Sequence, residues 1–313
     1  VRDWVSAYYN NANSFLPQGN RDLVGELIGN RAGMGKDLGL RFNLLDNRLN
    51  ASVGYYETSD TNRQLGIDSG AYNSFTEIWR AINDGVNSFT LQPGTSETAT
   101  TAGKGWEVDV SANPSKNWRL ALNLSQTHQV QSDLAPRIGK YIEQYRATWL
   151  AKAAVPLLLP ILPGVVPAGQ PATVGTAVRN ADAIVASLRA ADGQSRRQLR
   201  EYMANFFTSY TFTAGPLKAF SIGGGANYRS KPVTGYDSTK NNAPVYGGSY
   251  YLVNLMARRE FKLRRDMRLS VQANLDNVLN NDDLIIVDKD NTGTYRHVFQ
   301  TPRRWNVSTS LNF

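Results

Sequence analysis

The chain has 313 residues, 34 Lys and Arg against 26 Asp and Glu, a formal charge of +8, 41% hydrophobic residues and no cysteine. Without cysteine there is neither a disulfide framework nor a thiolate metal site, and the two distant histidines, His128 and His297, give zinc-hydrolase chemistry no ligand set. The basic residues are scattered among acids, and the one dense run, Lys262 to Arg265 beside Arg258 and Arg259, reads as a solvated turn, which sets nucleic-acid binding aside.

The length suits two soluble domains or one large all-β barrel. The sequence starts at Val1 with no basic and apolar leader, and residues 1–10 already read as a strand, so the chain is expected to be a fragment whose beginning lies upstream. After a polar stretch at 11–35, Leu38, Leu40, Phe42 and Leu44 alternate with Arg41 and Asn43, and a turn at Asp46-Asn47 leads into Leu49, Ala51, Val53 and Tyr55, which alternate with Asn50 and Ser52. That period of two is the mark of a strand with unlike faces. A long polar stretch at 59–102 precedes a second hairpin: Trp106, Val108, Val110 and Ala112, a turn over Asn113-Pro114-Ser115-Lys116, then Trp118, Leu120, Leu122 and Leu124 against Asn117, Arg119, Asn123 and Ser125.

Residues 128–202 form the longest connection. Its apolar run at 147–168 is broken by Pro156, Pro160, Pro163 and Pro167 and split by Lys152, so it is expected to pack within a folded loop and not to span a membrane as a helix. Val178, Ile184, Val185, Leu188 and Leu199 suggest a helix within 176–200. A third hairpin joins 203–213 to 218–229 across Ala214-Gly215-Pro216, and Gly223, Gly224 and Gly225 inside its second strand mark a bend or close backbone approach; no Gly-Lys-Ser/Thr follows to make a phosphate loop. Past the polar stretch at 230–249, Tyr251, Val253, Leu255, Ala257 and Phe261 turn at Arg264-Arg265-Asp266 into Met267, Leu269, Val271, Ala273 and Leu275. The loop at 278–302 holds Asp282, Asp283, Asp288, Asp290 and Asn291; of these Asp288, Asp290 and Asn291 are conceivable calcium ligands, but the cluster reads as a solvated loop. The last strand, 303–313, alternates Trp305, Val307, Thr309, Leu311 and Phe313 with Arg304, Asn306, Ser308, Ser310 and Asn312.

About ten strands, joined alternately by short turns and long polar loops, describe an antiparallel transmembrane β-barrel. In hydrocarbon a sheet must close to pair its backbone groups, so the Leu, Val and Phe face is expected to meet lipid and the Asn, Ser, Arg and Gln face a wet lumen. Trp106, Trp118, Trp305, Tyr55 and Tyr228 suit interfacial girdles. Ten strands leave a narrow lumen for such long polar side chains, so further strands are expected. No catalytic constellation is evident, and binding is expected of the extracellular loops, where Tyr72, Phe75, Trp79, Tyr141, Tyr145 and Trp149 are candidates to stack on a ligand or to pack the loop itself. A passive porin, an autotransporter-type barrel and a soluble β-rich binding protein are the other readings.

The segment VQANLDNVLN at 271–280, followed by PRRW at 302–305 and a terminal LNF, resembles the end of TonB-dependent outer-membrane receptors, and GWEVDVSANP at 105–114 with NWRL at 117–120 is similar to that family's repeated hairpin. The resemblance covers about half of the chain. It implies a barrel of about 22 strands, of which this chain would supply roughly the thirteenth to the twenty-second. It also implies residues 1–313 as the C-terminal part of that barrel, 128–202 as an extracellular loop insertion, and a plug domain and TonB box that are absent here. The implied function is uptake of a scarce nutrient such as a siderophore, cobalamin or an oligosaccharide. The implied partners are outer-membrane lipid, that small ligand, TonB acting through the plug, and the barrel-assembly machinery reading Phe313 as its signal; no cofactor is implied.

Overall fold

In the computed structural model the described residues are 3–83, 94–158, 173–240, 242–264, 267–289 and 293–313. Ten strands form one antiparallel sheet in which each pairs with its neighbour along the chain. They are β1 (Val5–Leu16), β2 (Arg31–Leu44), β3 (Leu49–Gly66), β4 (Ser96–Ser115), β5 (Trp118–Ser132), β6 (Tyr202–Thr211), β7 (Phe220–Arg229), β10 (Tyr250–Lys262), β11 (Arg268–Asp276) and β14 (Arg304–Asn312). Two hairpins outside that sheet, β8 (Val233–Asp237) with β9 (Ala243–Tyr246) and β12 (Leu284–Lys289) with β13 (Thr294–Phe299), belong to the long connections after β7 and β11. The sheet ends on β1 and β14, so it is an open portion of a barrel. No helix among the described residues is long and apolar enough to cross a membrane.

The registers put the two faces where the alternation predicts. Leu40 pairs with Val53, Val53 with Val108, and Val108 with Leu124, while on the other face Arg41 pairs with Ser52 and Ser52 with Asp109. The apolar row is not a core: Leu40, Leu124, Ile222, Leu255, Val307 and Leu311 are all exposed. A sheet that leaves its aliphatic face uncovered is stable only where the surrounding solvent is itself apolar. The polar row lines a concave space of about 710 Å³, bounded by Arg41, Asn123, Asn205, Asn254 and Asn274 among others.

Several boundaries differ from the sequence reading, for one physical reason. β1 begins at Val5 and runs to Leu16, and β2, β3 and β4 continue far into the stretches 11–35 and 59–102 that read as loops. Beyond the lipid both faces are wet, so apolar alternation stops although backbone pairing continues, as in Met34 with Ser59 and Ser59 with Ala102. The second hairpin turns at Lys116 and Asn117, because β4 carries Asn113 and Pro114 through a bulge between Ala112 and Ser115, a position that tolerates a strand proline. At the first turn Leu45, Asp46 and Asn47 all take positive φ. The glycine run is a close approach: a Cβ on Gly223 would stand 2.7 Å from the Thr208 carbonyl oxygen, and one on Gly224 2.7 Å from that of Asn254. The apolar run at 159–168, the turn residues Arg265 and Asp266, and Asp290 and Asn291 lie outside the described residues.

Candidate ligand-facing surface

Three helices occupy the long loops: α1 (Ser69–Ile82) between β3 and β4, and α2 (Pro136–Leu150) and α3 (Val174–Arg189) between β5 and β6. The helix expected at 176–200 is α3, which starts earlier and stops at Arg189, since residues 190–200 turn back toward β5 through backbone bonds such as Gly193 N–H to the Gln131 carbonyl. Each helix forms because one face is apolar at helical spacing: Ala71, Phe75, Ile78, Trp79 and Ile82 in α1, and Ile138, Tyr141, Ile142, Tyr145 and Trp149 in α2. These faces meet in one dry cluster with Val174, Ala177, Val178, Ala181 and Val185 of α3 and with Leu23 from the β1–β2 loop. Most of the buried hydrophobic side chains among the described residues lie in this unit and not in the ten-stranded sheet.

All six aromatic residues singled out in the sequence come together here. Phe75, Tyr141 and Trp149 have no exposed surface and Trp79 only 6%, whereas Tyr72 and Tyr145 are half-buried at the edge of the cluster. The rings are mutually packed: Phe75 and Tyr141 have centroids 4.9 Å apart, Tyr141 and Tyr145 4.9 Å, and Trp79 and Tyr145 5.2 Å edge to face. Trp79 Nε1–H donates to the Tyr141 hydroxyl at 2.7 Å. Burial pushes the Tyr141 hydroxyl well above the ordinary phenol range, so it stays protonated. Phe75, Trp79, Tyr141 and Trp149 thus sit in the core of the loop unit, with little or no ring surface exposed.

The unit is fastened to the sheet by residues that the sequence reading passed over. Ala135, the residue before α2, has φ 57° and makes no side-chain cap. Glu97 of β4 supplies the cap instead, its carboxylate accepting from the backbone N–H of Arg137 (3.0 Å) and Ile138 (2.9 Å). The Arg137 guanidinium reaches Asp22 at 3.2 Å and the Ile28 carbonyl at 3.2 Å, and Asp22 accepts in turn from Val24 and Glu26 N–H. Arg146 and Asp182 join α2 to α3 at 2.5 Å. The proline at the start of α2 and the spacing from Ile138 to Trp149 are signals that could have marked that helix, which the sequence reading missed; a cap lent from forty positions away leaves no such signal.

Below the unit, the concave face is a lattice of amides, hydroxyls and ions. Asn205 donates to Asn123 and Asn123 to Asp109, linking β6, β5 and β4. Gln272 donates to Asn274 and Asn274 to Asn306, while Arg304 pairs with Asp276 at 3.2 Å. Tyr8 lies flat across glycine: a Cβ on Gly39 would stand 2.7 Å from its ring, and the Arg41 guanidinium stacks over that ring at 4.6 Å. These groups present hydrogen-bond donors, acceptors and charges to the concave space. Among the described residues no group of three or more His, Cys, Asp or Glu is placed to hold a metal ion.

A polar concave wall, a lipid-facing convex one, short turns at one rim and a folded loop unit at the other define an outer-membrane-type β-barrel. The chain belongs to the TonB dependent receptor-like β-barrel family, whose model matches residues 1–278. It is 23% identical over 282 residues to the ferripyoverdine receptor of Pseudomonas aeruginosa, an alignment that takes in 89% of this chain and 25% of the receptor. The crystal structure of the ferripyoverdine receptor of the Pseudomonas aeruginosa outer membrane superposes over 100% of this chain and 32% of its own, with a TM-score of 0.60 and 18% identity. For the ferric preacinetobactin receptor of Acinetobacter baumannii the corresponding values are 100%, 35%, 0.58 and 14%. The chain thus spans between a quarter and about a third of the length of these relatives. The family is one of outer-membrane receptors and not of enzymes.

Proposed function

We propose that this chain is the C-terminal part of the barrel wall, together with much of the extracellular ligand-capturing surface, of a TonB-dependent receptor that imports a metal chelate of the siderophore class. The observation that carries the reading is the inverted burial order of the sheet, apolar side chains outward and exposed and polar side chains lining the concavity, topped by a loop unit with its own core. The similar proteins named above are receptors for ferripyoverdine and ferric preacinetobactin, which favours an iron chelate over cobalamin or an oligosaccharide. Residues 133–201 carry nine basic against five acidic side chains, a balance that suits an anionic chelate. Within the unit, Tyr72 and Tyr145 keep exposed edges for ligand contact, and the other four rings hold the unit in shape. A plug domain closes the lumen of the complete barrel, and TonB pulls on that plug with energy from the inner membrane, so the wall performs binding and passage without bond chemistry. Phe313, exposed at the end of β14, serves the assembly machinery.

The test is uptake of radiolabelled iron by cells whose only receptor is the full-length protein, supplied with a panel of ferric chelates. Uptake of at least one chelate that stops in a TonB-deficient strain is the expected result. Uptake that continues without TonB makes the barrel a passive pore, and failure with every chelate while cobalamin or an oligosaccharide is taken up removes the siderophore class.

A further inference from the structure

Three loops that lie far apart in the sequence share one interior. Leu23 of the β1–β2 loop, Phe75 and Trp79 of α1, Tyr141 and Trp149 of α2 and Val178 of α3 are buried in the same cluster. Polar ties cross the same boundaries. Asn180 of α3 donates to the Ser74 hydroxyl of α1 at 3.1 Å, and Lys140 of α2 pairs with Glu26 of the β1–β2 loop at 2.5 Å, beside the pairing of Arg137 with Asp22. Helices α1 and α3 approach so closely that a Cβ on Gly70 would stand 3.1 Å from Ile184 Cδ1.

The stalks on which these loops stand are paired as well. The connection that carries α1 leaves β3 and returns on β4 with Gly66 opposite Ser96 and the Ile67 N–H bonded to the Thr95 carbonyl. The connection that carries α2 and α3 leaves β5 and comes back beside it, Gly193 N–H bonding the Gln131 carbonyl and Arg196 N–H the Gln129 carbonyl, while Asp192 accepts from Leu134 N–H at 2.9 Å. A hinge needs a few residues whose backbone dihedrals are free to change, and pairing up to the foot of the helices removes them. Parting α1 from α2 and α3 would also bring Phe75, Trp79, Tyr141 and Trp149 into water together. A ligand inverts such an equilibrium only by preferring one state about ten-thousand-fold, and the burial of four large aromatic side chains outweighs that preference.

We infer that the three loops form one rigid clasp that is already closed before a ligand arrives. On the reading of Tyr72 and Tyr145 as ligand contacts, given above, their exposed edges then stand at fixed positions, and a chelate meets a surface set in advance instead of loops that must fold over it. Distances between spin labels on the full-length receptor in lipid nanodiscs test this at the exposed pairs N73C/Q144C and N73C/A183C, which relate α1 to α2 and α1 to α3. One narrow distance is expected for each pair in the free receptor, and the same distance after a transported ferric chelate is added. A second, longer distance in the free receptor, or a shift when the chelate binds, overturns the proposal. Uptake supplies a functional arm: E26C/K140C, bridged by a reducible bis-methanethiosulfonate reagent, fixes the β1–β2 loop to α2 and is expected to import iron within about twofold of the unbridged protein. A loss of more than about tenfold that a reductant reverses, and that E26C alone treated with the same reagent does not show, also overturns it. The distances in the free receptor need no ligand, so failure of every chelate in the uptake assay removes the siderophore reading while the labels still decide whether the clasp is rigid.

Discussion

Replacing Trp149 by alanine separates the two roles an aromatic loop residue can have. The indole has no exposed surface and lies 5.6 Å from Phe75, 5.9 Å from Trp79, 5.8 Å from Tyr141 and 6.1 Å from Tyr145, ring centroid to ring centroid. Emptying such a site costs about 3–5 kcal/mol. The Trp149 Nε1–H is buried and has no partner among the described residues, so its removal returns part of that cost, and the lower end, about 3 kcal/mol, is expected. Hydrogen exchange of the full-length receptor is then about a hundredfold faster at the α2 and α3 amides, with barrel amides unchanged. Trp149→Phe keeps a ring in the cluster and deletes the orphan donor, and costs within about 1 kcal/mol. If Trp149→Ala abolishes ligand binding while the helices keep their protection, the ring is a ligand contact and the packing argument is refuted.

Three other outcomes follow from the same geometry. Glu97→Gln removes the charged acceptor that caps α2 from β4; a loss of about 1–2 kcal/mol should appear as faster exchange confined to the first turn of that helix, measured at Arg137 and Ile138. Val53→Arg places a charge among Leu40 and Val108 on the lipid face and is expected to destabilise the folded barrel by about 2–4 kcal/mol, whereas Ser52→Arg on the concave face leaves it assembled; heat-modifiable migration after urea titration distinguishes them. Gly39→Ala brings a methyl within 2.7 Å of the Tyr8 ring and 2.5 Å of the Val53 carbonyl oxygen, so Tyr8 must leave its place beneath Arg41; the barrel should lose about 1–3 kcal/mol in the same titration, and Tyr8→Ala in that background should recover part of it.

The strands were legible because lipid enforces a period of two, and Leu120, Leu122 and Leu124 or Val307, Thr309 and Leu311 leave no other regular reading. That enforcement ends with the lipid. From Arg31 to Lys36 and from Glu57 to Gly66 all side chains but Met34 and Leu65 are polar or small, and only cross-strand pairing keeps the chain extended, which a single strand's sequence does not display. The loop unit was half legible. Its aromatic residues were found, and α3 was located approximately, but α1 and α2 were hidden because stretches rich in polar residues read as irregular, although Ile138, Tyr141, Ile142, Tyr145 and Trp149 carry a helical period. The pairing of Glu97 with α2 and of Arg137 with Asp22 depends on which loops stand side by side around the rim, and no local pattern encodes that.

The dry helical cluster on the rim gives one polypeptide two opposite rules for substitution. In the wall, trading one aliphatic residue for another of different size leaves no hole, since fluid acyl chains reshape around it; in the helices the same exchange opens a void that nothing fills. The rim unit therefore behaves as a water-soluble miniature protein grafted on a lipid-soluble one. Its melting is set by its own interior and by the ties of Glu97 and Arg137 to the rim, and it can loosen or be redesigned while the cylinder beneath stays intact.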